Sequence, residues 1–140
     1  MAIQQTLTTS FRQQILLGQH DLAVDTIKVA LYTAFATLGL ETTAYSVTDE
    51  ITGTGYVAGG KVVTGVTIST APSGVVYVSF NDVTWSPAAF TCRGALMYNA
   101  SKSNKSIAVL DFGADKTCAN TFTLQMPPNT ATAALLRFSP

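Results

Sequence analysis

Alternation of apolar and polar side chains recurs along this chain, whereas apolar residues at helical spacing gather in one place, near the N-terminus. The strongest alternation lies towards the middle. Phe90-Thr-Cys-Arg-Gly-Ala-Leu-Met-Tyr-Asn99 and Ser106-Ile-Ala-Val-Leu-Asp-Phe112 read as two strands, and the polar run 100–105 between them reads as a hairpin loop. A period of two puts Phe90, Cys92, Gly94, Leu96 and Tyr98 on one face of the first strand, with Thr91, Arg93, Ala95, Met97 and Asn99 on the other. The second strand divides into Ile107, Val109 and Asp111 against Ala108, Leu110 and Phe112. Apolar side chains on both faces imply cover on both, from a second layer of the domain or from a partner.

Around this pair the other elements follow from spacing and punctuation. Leu7, Phe11 and Ile15 recur every four residues; Ser10 or one of Thr6, Thr8 and Thr9 can cap the start, and Gly18 stands where a left-handed stop is needed. This predicts a short amphipathic helix that covers the sheet. After a connector at 19–24, the stretch 26–33 alternates with Ile27, Val29 and Leu31 inward and Lys28, Ala30 and Tyr32 outward. From Ala34 to Gly60 no period is sustained, and five glycines predict a long loop with a turn of helix near Thr48. Its large or charged features are Tyr45, Tyr56 and the Asp49-Glu50 pair, and a loop of that length in a compact domain is expected to be functional or interface-forming. Further strands are expected over 61–69, 75–80, 81–86, 120–126 and 132–138, with Ala71-Pro-Ser-Gly74 a turn and 113–119 a turn-rich connection. About seven short strands and one helix predict a mainly β fold, an antiparallel, jelly-roll-like β-sandwich with a short N-terminal helix.

Length and charge narrow the class. At 140 residues the chain is read as a single domain, 1–140, with an N-terminal arm and helix over 1–20 and the interface loop over 34–60. Charged residues make up 11%, against about 25% in an average domain, and the formal net charge is zero. Neither nucleic acid nor an anionic membrane is implied as a partner. With 47% hydrophobic residues, such a surface favours association, so the chain is expected to work inside an assembly. No apolar run has the length of a spanning helix and no secretory leader is visible, which predicts synthesis in the cytoplasm. Cys92 and Cys118 lie far apart with no Cys-x-x-Cys and are read as reduced packing residues.

A search for chemistry returns no catalytic, cofactor-binding or metal-binding residues. His20, the single histidine, adjoins Asp21 without a nucleophile and reads as an exposed loop residue. Gly53-Thr-Gly55, Tyr56 and Gly59-Gly60 lack the Lys-Ser/Thr ending of a phosphate-cradling loop. Asp111-Phe-Gly113 has no kinase context, and Asp111 with Asp115 falls short of a calcium shell. Trp85 is expected in the core; Arg93 either pairs with Asp82 or Asp111 or points at a partner.

Ser10-Phe-x-Gln-Gln-Ile-Leu-x-Gly18, Ile27-Lys-Val-Ala-Leu-Tyr-Thr33, Gly53-Thr-Gly-Tyr56, Ala58-Gly-Gly60, Val83-Thr-Trp85, Arg93-Gly-Ala95 and Val109-Leu-Asp-Phe-Gly113 span nearly the whole chain. Taken together they resemble a family of small virion proteins of tailed bacteriophages. The resemblance implies a non-enzymatic structural protein of the virion, a capsid decoration or cement protein that stabilises the head, with a tail, fibre-attachment or adaptor component as the alternative. Its implied partners are the major capsid protein, or tail proteins in the alternative, and further copies of itself in a homo-oligomer. Cys92 and Cys118 depart from the small or polar residues expected at those places.

Overall fold

The computed structural model describes residues 2–140. In chain order its elements are β1 (Thr6–Leu7), α1 (Thr9–Leu16), β2 (Ile27–Tyr32), β3 (Lys61–Val62), β4 (Thr67–Thr70), β5 (Val76–Ser79), β6 (Val83–Trp85), β7 (Phe90–Asn99), β8 (Lys105–Cys118), β9 (Phe122–Leu124) and β10 (Leu136–Phe138). The hairpin β7–β8 is the centre of a five-stranded antiparallel sheet ordered β1-β8-β7-β2-β3. A three-stranded sheet, β10-β5-β4, and a two-stranded one, β6-β9, supply the facing layer. The fold is therefore mainly β, antiparallel and sandwich-like with one short helix. It has more strands than the sequence predicts.

The larger core lies between these layers. Ile27, Val29 and Leu31 of β2, with Ala95 and Met97 of β7, meet Val78, Trp85, Leu124 and Leu136 from the facing strands. Phe11 of α1 closes the same core and is fully buried. The helix is capped by Thr8, whose hydroxyl accepts the Phe11 N–H at 3.3 Å, and Gly18 follows its end at φ 70°. Leu7, the first residue of the expected helical stripe, belongs instead to β1.

Two register shifts correct the face assignment in the central hairpin. Phe90 and Cys92 face the larger core, but a shift between Cys92 and Gly94 turns the strand over. Ala95 and Met97 then point there, while Leu96 and Tyr98 point to the opposite side. A second shift between Met97 and Tyr98 leaves Ile107 unpaired in register, so Ile107 joins Ala108 on the larger core. A bulge of this kind inserts residues on one strand and so inverts every later side chain relative to simple alternation.

The second face of the sheet is also covered. Ala30 and Tyr32, expected outward, are buried with Leu96, Tyr98 and Val109 under Ile3, Ala36 and Leu38. Ala36 and Leu38 of the 34–60 segment supply this cover together with Ile3, and Ile51 of the same segment reaches the larger core. Near Thr48 there is a turn, with Asp49 at φ 62°, and no helix. The expected strand over 61–69 is broken at Gly65, where φ is 67° and a Cβ would lie 2.2 Å from Asn81 Nδ2; β3 and β4 therefore join different sheets. The expected connection over 113–119 is mostly strand, since β8 continues to Cys118 opposite Phe90.

Candidate functional site

The 34–60 segment is the feature with the most unusual construction. It leaves β2, crosses the sheet and returns along the outer edge of β2, where Ile51 N–H donates to Leu31 O at 3.0 Å and Thr33 N–H to Asp49 O at 2.9 Å. Farther along that edge the Leu31 N–H donates to the Tyr56 hydroxyl at 2.9 Å. A phenol thus replaces a strand at that point.

Glu50 is the anchor. Its side chain is buried, and its carboxylate accepts Tyr45 Oη at 2.7 Å, Tyr56 Oη at 2.5 Å and the Gly59 N–H at 2.8 Å. Three donors satisfy a carboxylate that, among the described residues, no salt bridge neutralises. Tyr98 stacks on Tyr45 with centroids 4.8 Å apart and donates to Gly59 O at 2.6 Å; Tyr32 donates to Ser46 O at 2.6 Å. Burial, with the Glu50 charge adding to it, raises the ionisation of all four phenols, that of Tyr98 to about 12, so each remains a donor at neutral pH. Tyr45, Tyr56 and Glu50 are among the large or charged features that the sequence alone shows in the segment. The structure brings these three together, adds Tyr32 and Tyr98 from the sheet, and leaves Asp49 exposed.

The outer side of the segment is apolar at several points. Phe35, Val47 and Val57 are 70%, 65% and 74% exposed. An open groove of about 1160 Å³ is lined by Ile3, Ala36 and Leu38 and by the acidic residues Glu41, Asp49 and Asp111. An open surface of this kind offers contact area to another protein.

The residues searched for chemistry are engaged structurally. His20 is not an exposed loop residue: it is 8% exposed, packs against Phe11, and has both ring nitrogens within hydrogen-bond distance of Gln14 and Asn99. Partners at both ring nitrogens offset the cost of burying the imidazole. Asn99 is fully buried in the same network. Arg93 pairs with Asp111 at 3.2 Å, one of the alternatives left open by the sequence, and Asp82 accepts the Met126 N–H instead. Trp85 is buried, with Lys61 Nζ 5.8 Å from its ring centroid. Cys92 is buried and Cys118 half-buried, and neither is in a disulfide. Among the described residues, no group of three or more His, Cys, Asp or Glu side chains is placed to hold a metal ion, and no helix is long and apolar enough to cross a membrane.

No known protein family, curated protein or solved structure matches this chain.

Proposed function

We propose that the protein is a non-enzymatic structural component of a tailed-bacteriophage virion, a capsid decoration or cement protein whose 34–60 segment contacts the lattice. The observation that carries this reading is the two-sided character of that segment. Its inner side is fixed by Glu50, Tyr45, Tyr56 and Ile51, while Phe35, Val47 and Val57 project outward. A contact surface ordered before it meets its partner loses little conformational entropy on binding. Low charge and zero net charge add to the tendency to associate. A capsid packed with DNA is under outward load, and a protein bound across capsomer boundaries adds contacts that expansion must break. Many modest contacts suffice when each copy is part of a small symmetric oligomer.

Reconstruction of the whole particle tests the proposal. Density for the chain should lie on the outer face of the head, and particles lacking it should assemble but release DNA at a lower temperature. Density confined to the tail or the portal vertex would replace the cement reading with that of a tail or adaptor component.

A further inference from the structure

We propose that His20 is an acid-sensitive latch that fastens α1 and the turn after it to the β7–β8 hairpin. The imidazole sits between two side-chain amides. Nε2 lies 2.9 Å from Gln14 Oε1, an atom that only accepts, so Nε2 carries the proton. Nδ1 lies 3.0 Å from Asn99 Nδ2, an atom that only donates, so Nδ1 offers its lone pair. The neutral ring in one tautomer satisfies both neighbours.

The Asn99 amide cannot turn over to suit an imidazolium. Its Nδ2 also donates to Asp25 Oδ2 at 2.7 Å, and its Oδ1 accepts the Ser101 N–H at 3.0 Å. A proton on Nδ1 would face the Asn99 amino group, donor against donor; relief requires breaking those two bonds or moving the ring away. Moving the ring releases Gln14 of α1 and the edge of the Phe11 ring, whose centroid is 5.0 Å from that of His20.

The charges around the ring do not reverse this. Asp25, from the turn before β2, favours a cationic ring, but its carboxylate already accepts Asn99, the Asp21 N–H at 2.9 Å and Lys102 Nζ at 3.2 Å. Lys102 and Lys105, from the hairpin loop, oppose it. The helix contributes Arg12, which lies exposed beside Thr9, and Asp21 is exposed, with its carboxylate accepting the Ala23 N–H. Burial is the largest influence, and it lowers the His20 pKa from its ordinary 6.5.

The direction of the pH effect follows from proton counting. The docked form binds fewer protons than the released form between the lowered value and 6.5. The latch is therefore fully effective above about pH 6.5 and weakens as pH falls towards the docked-state value. Within that window the opening constant of the 9–25 region should rise by up to about tenfold per pH unit. Release would uncover Phe11 and Leu22 on a stretch where Leu16, Leu17 and Val24 are already exposed.

Because His20 is the single histidine, its ring resonances report on the latch without assignment ambiguity. Nitrogen-15 NMR of the intact chain should show the Nε2–H tautomer at pH 7.5 and a titration midpoint below 6.5. Hydrogen exchange, corrected for intrinsic rate, should accelerate in residues 9–25 between pH 7 and pH 5 while β2 and β7 stay protected. In His20→Gln the acceleration should vanish. A ring that titrates at or above 6.5, or helix protection that is the same at both pH values in the unaltered protein, overturns the proposal whether or not the variant folds.

Discussion

Tyr56 donates to Glu50 at 2.5 Å while accepting the Leu31 N–H at 2.9 Å, so one hydroxyl joins a buried carboxylate to the open edge of β2. The 34–60 segment, poor in apolar anchors, is held to the sheet through this junction as much as through Ala36, Leu38 and Ile51. Removing the carboxylate leaves three donors without their acceptor. Glu50→Ala should therefore lower unfolding free energy by about 3 kcal/mol or more, and Glu50→Gln, which keeps one carbonyl oxygen, by about 1–2 kcal/mol. Urea denaturation of the two variants beside the unaltered protein measures both; equal stability of all three would show that the carboxylate is not the anchor.

Two glycines with similar backbone angles provide an internal comparison. Gly60 has φ 77° and a Cβ there would lie 1.8 Å from the Val29 carbonyl oxygen, whereas Gly113 has φ 80° and open space around it. Gly113→Ala should cost only the left-handed strain, about 1–2 kcal/mol. Gly60→Ala adds a collision with backbone that cannot yield without separating β3 from β2, and should cost more than about 3 kcal/mol. Matched denaturation curves decide this, and a smaller loss at Gly60 than at Gly113 would contradict the close packing of the segment on β2.

The long strands were legible because alternation survives wherever one side of a sheet is buried. The stretch 26–33 and the pair 90–99 and 106–112 all appear in the structure as β2, β7 and the first part of β8. What alternation cannot carry is a change of phase inside a strand. Arg93 lies at the shift that inverts β7, and its one local mark is Gly94, where a Cβ would lie 2.6 Å from the Leu110 carbonyl oxygen. The 34–60 segment failed differently. Its buried residues, Ala36, Leu38, Glu50, Ile51 and Gly59, follow neither a period of two nor a helical one, because an irregular segment docks wherever its chain happens to meet the sheet. Glu50 and Tyr56 stood out by residue type, yet they are held from outside the segment, by Leu31 of β2 on Tyr56 and by Tyr98 of β7 on Gly59. His20 misled for a related reason: its partners, Gln14 and Asn99, lie six and 79 residues away.

The cysteines should differ sharply in reactivity. Burial, reinforced by the neighbouring Cys118 and Asp115, pushes the Cys92 thiol up to about 12, so its nucleophilic thiolate is scarce at pH 8. Cys118 is half-buried on the outer part of β8. Alkylation of the native protein at pH 8 should label Cys118 and spare Cys92, and denaturation without reductant should make both reactive. Mass spectrometry that finds neither site labelled after denaturation would reveal a disulfide instead.

The outward residues of the 34–60 segment separate its role in folding from its role in assembly. Phe35, Val47 and Val57 are mostly exposed, so replacing all three by serine removes apolar contact area while leaving Glu50 and its phenol donors untouched. Surface changes of this kind should each alter stability by less than about 0.5 kcal/mol. Hydrogen exchange in the isolated protein should remain slow at Ile51 and Gly60, whose amides donate to Leu31 and Val57, because the segment is ordered without a neighbour. On particles the same triple variant should compete poorly with the unaltered protein, with occupancy reduced by tenfold or more if each lost side chain contributed about 0.5–1 kcal/mol to binding. Mixed-occupancy mass spectrometry of purified particles gives the ratio directly. Equal incorporation of the two forms would move the contact surface away from this segment, and fast exchange at Ile51 in the isolated protein would mean that the segment is ordered only by its partners.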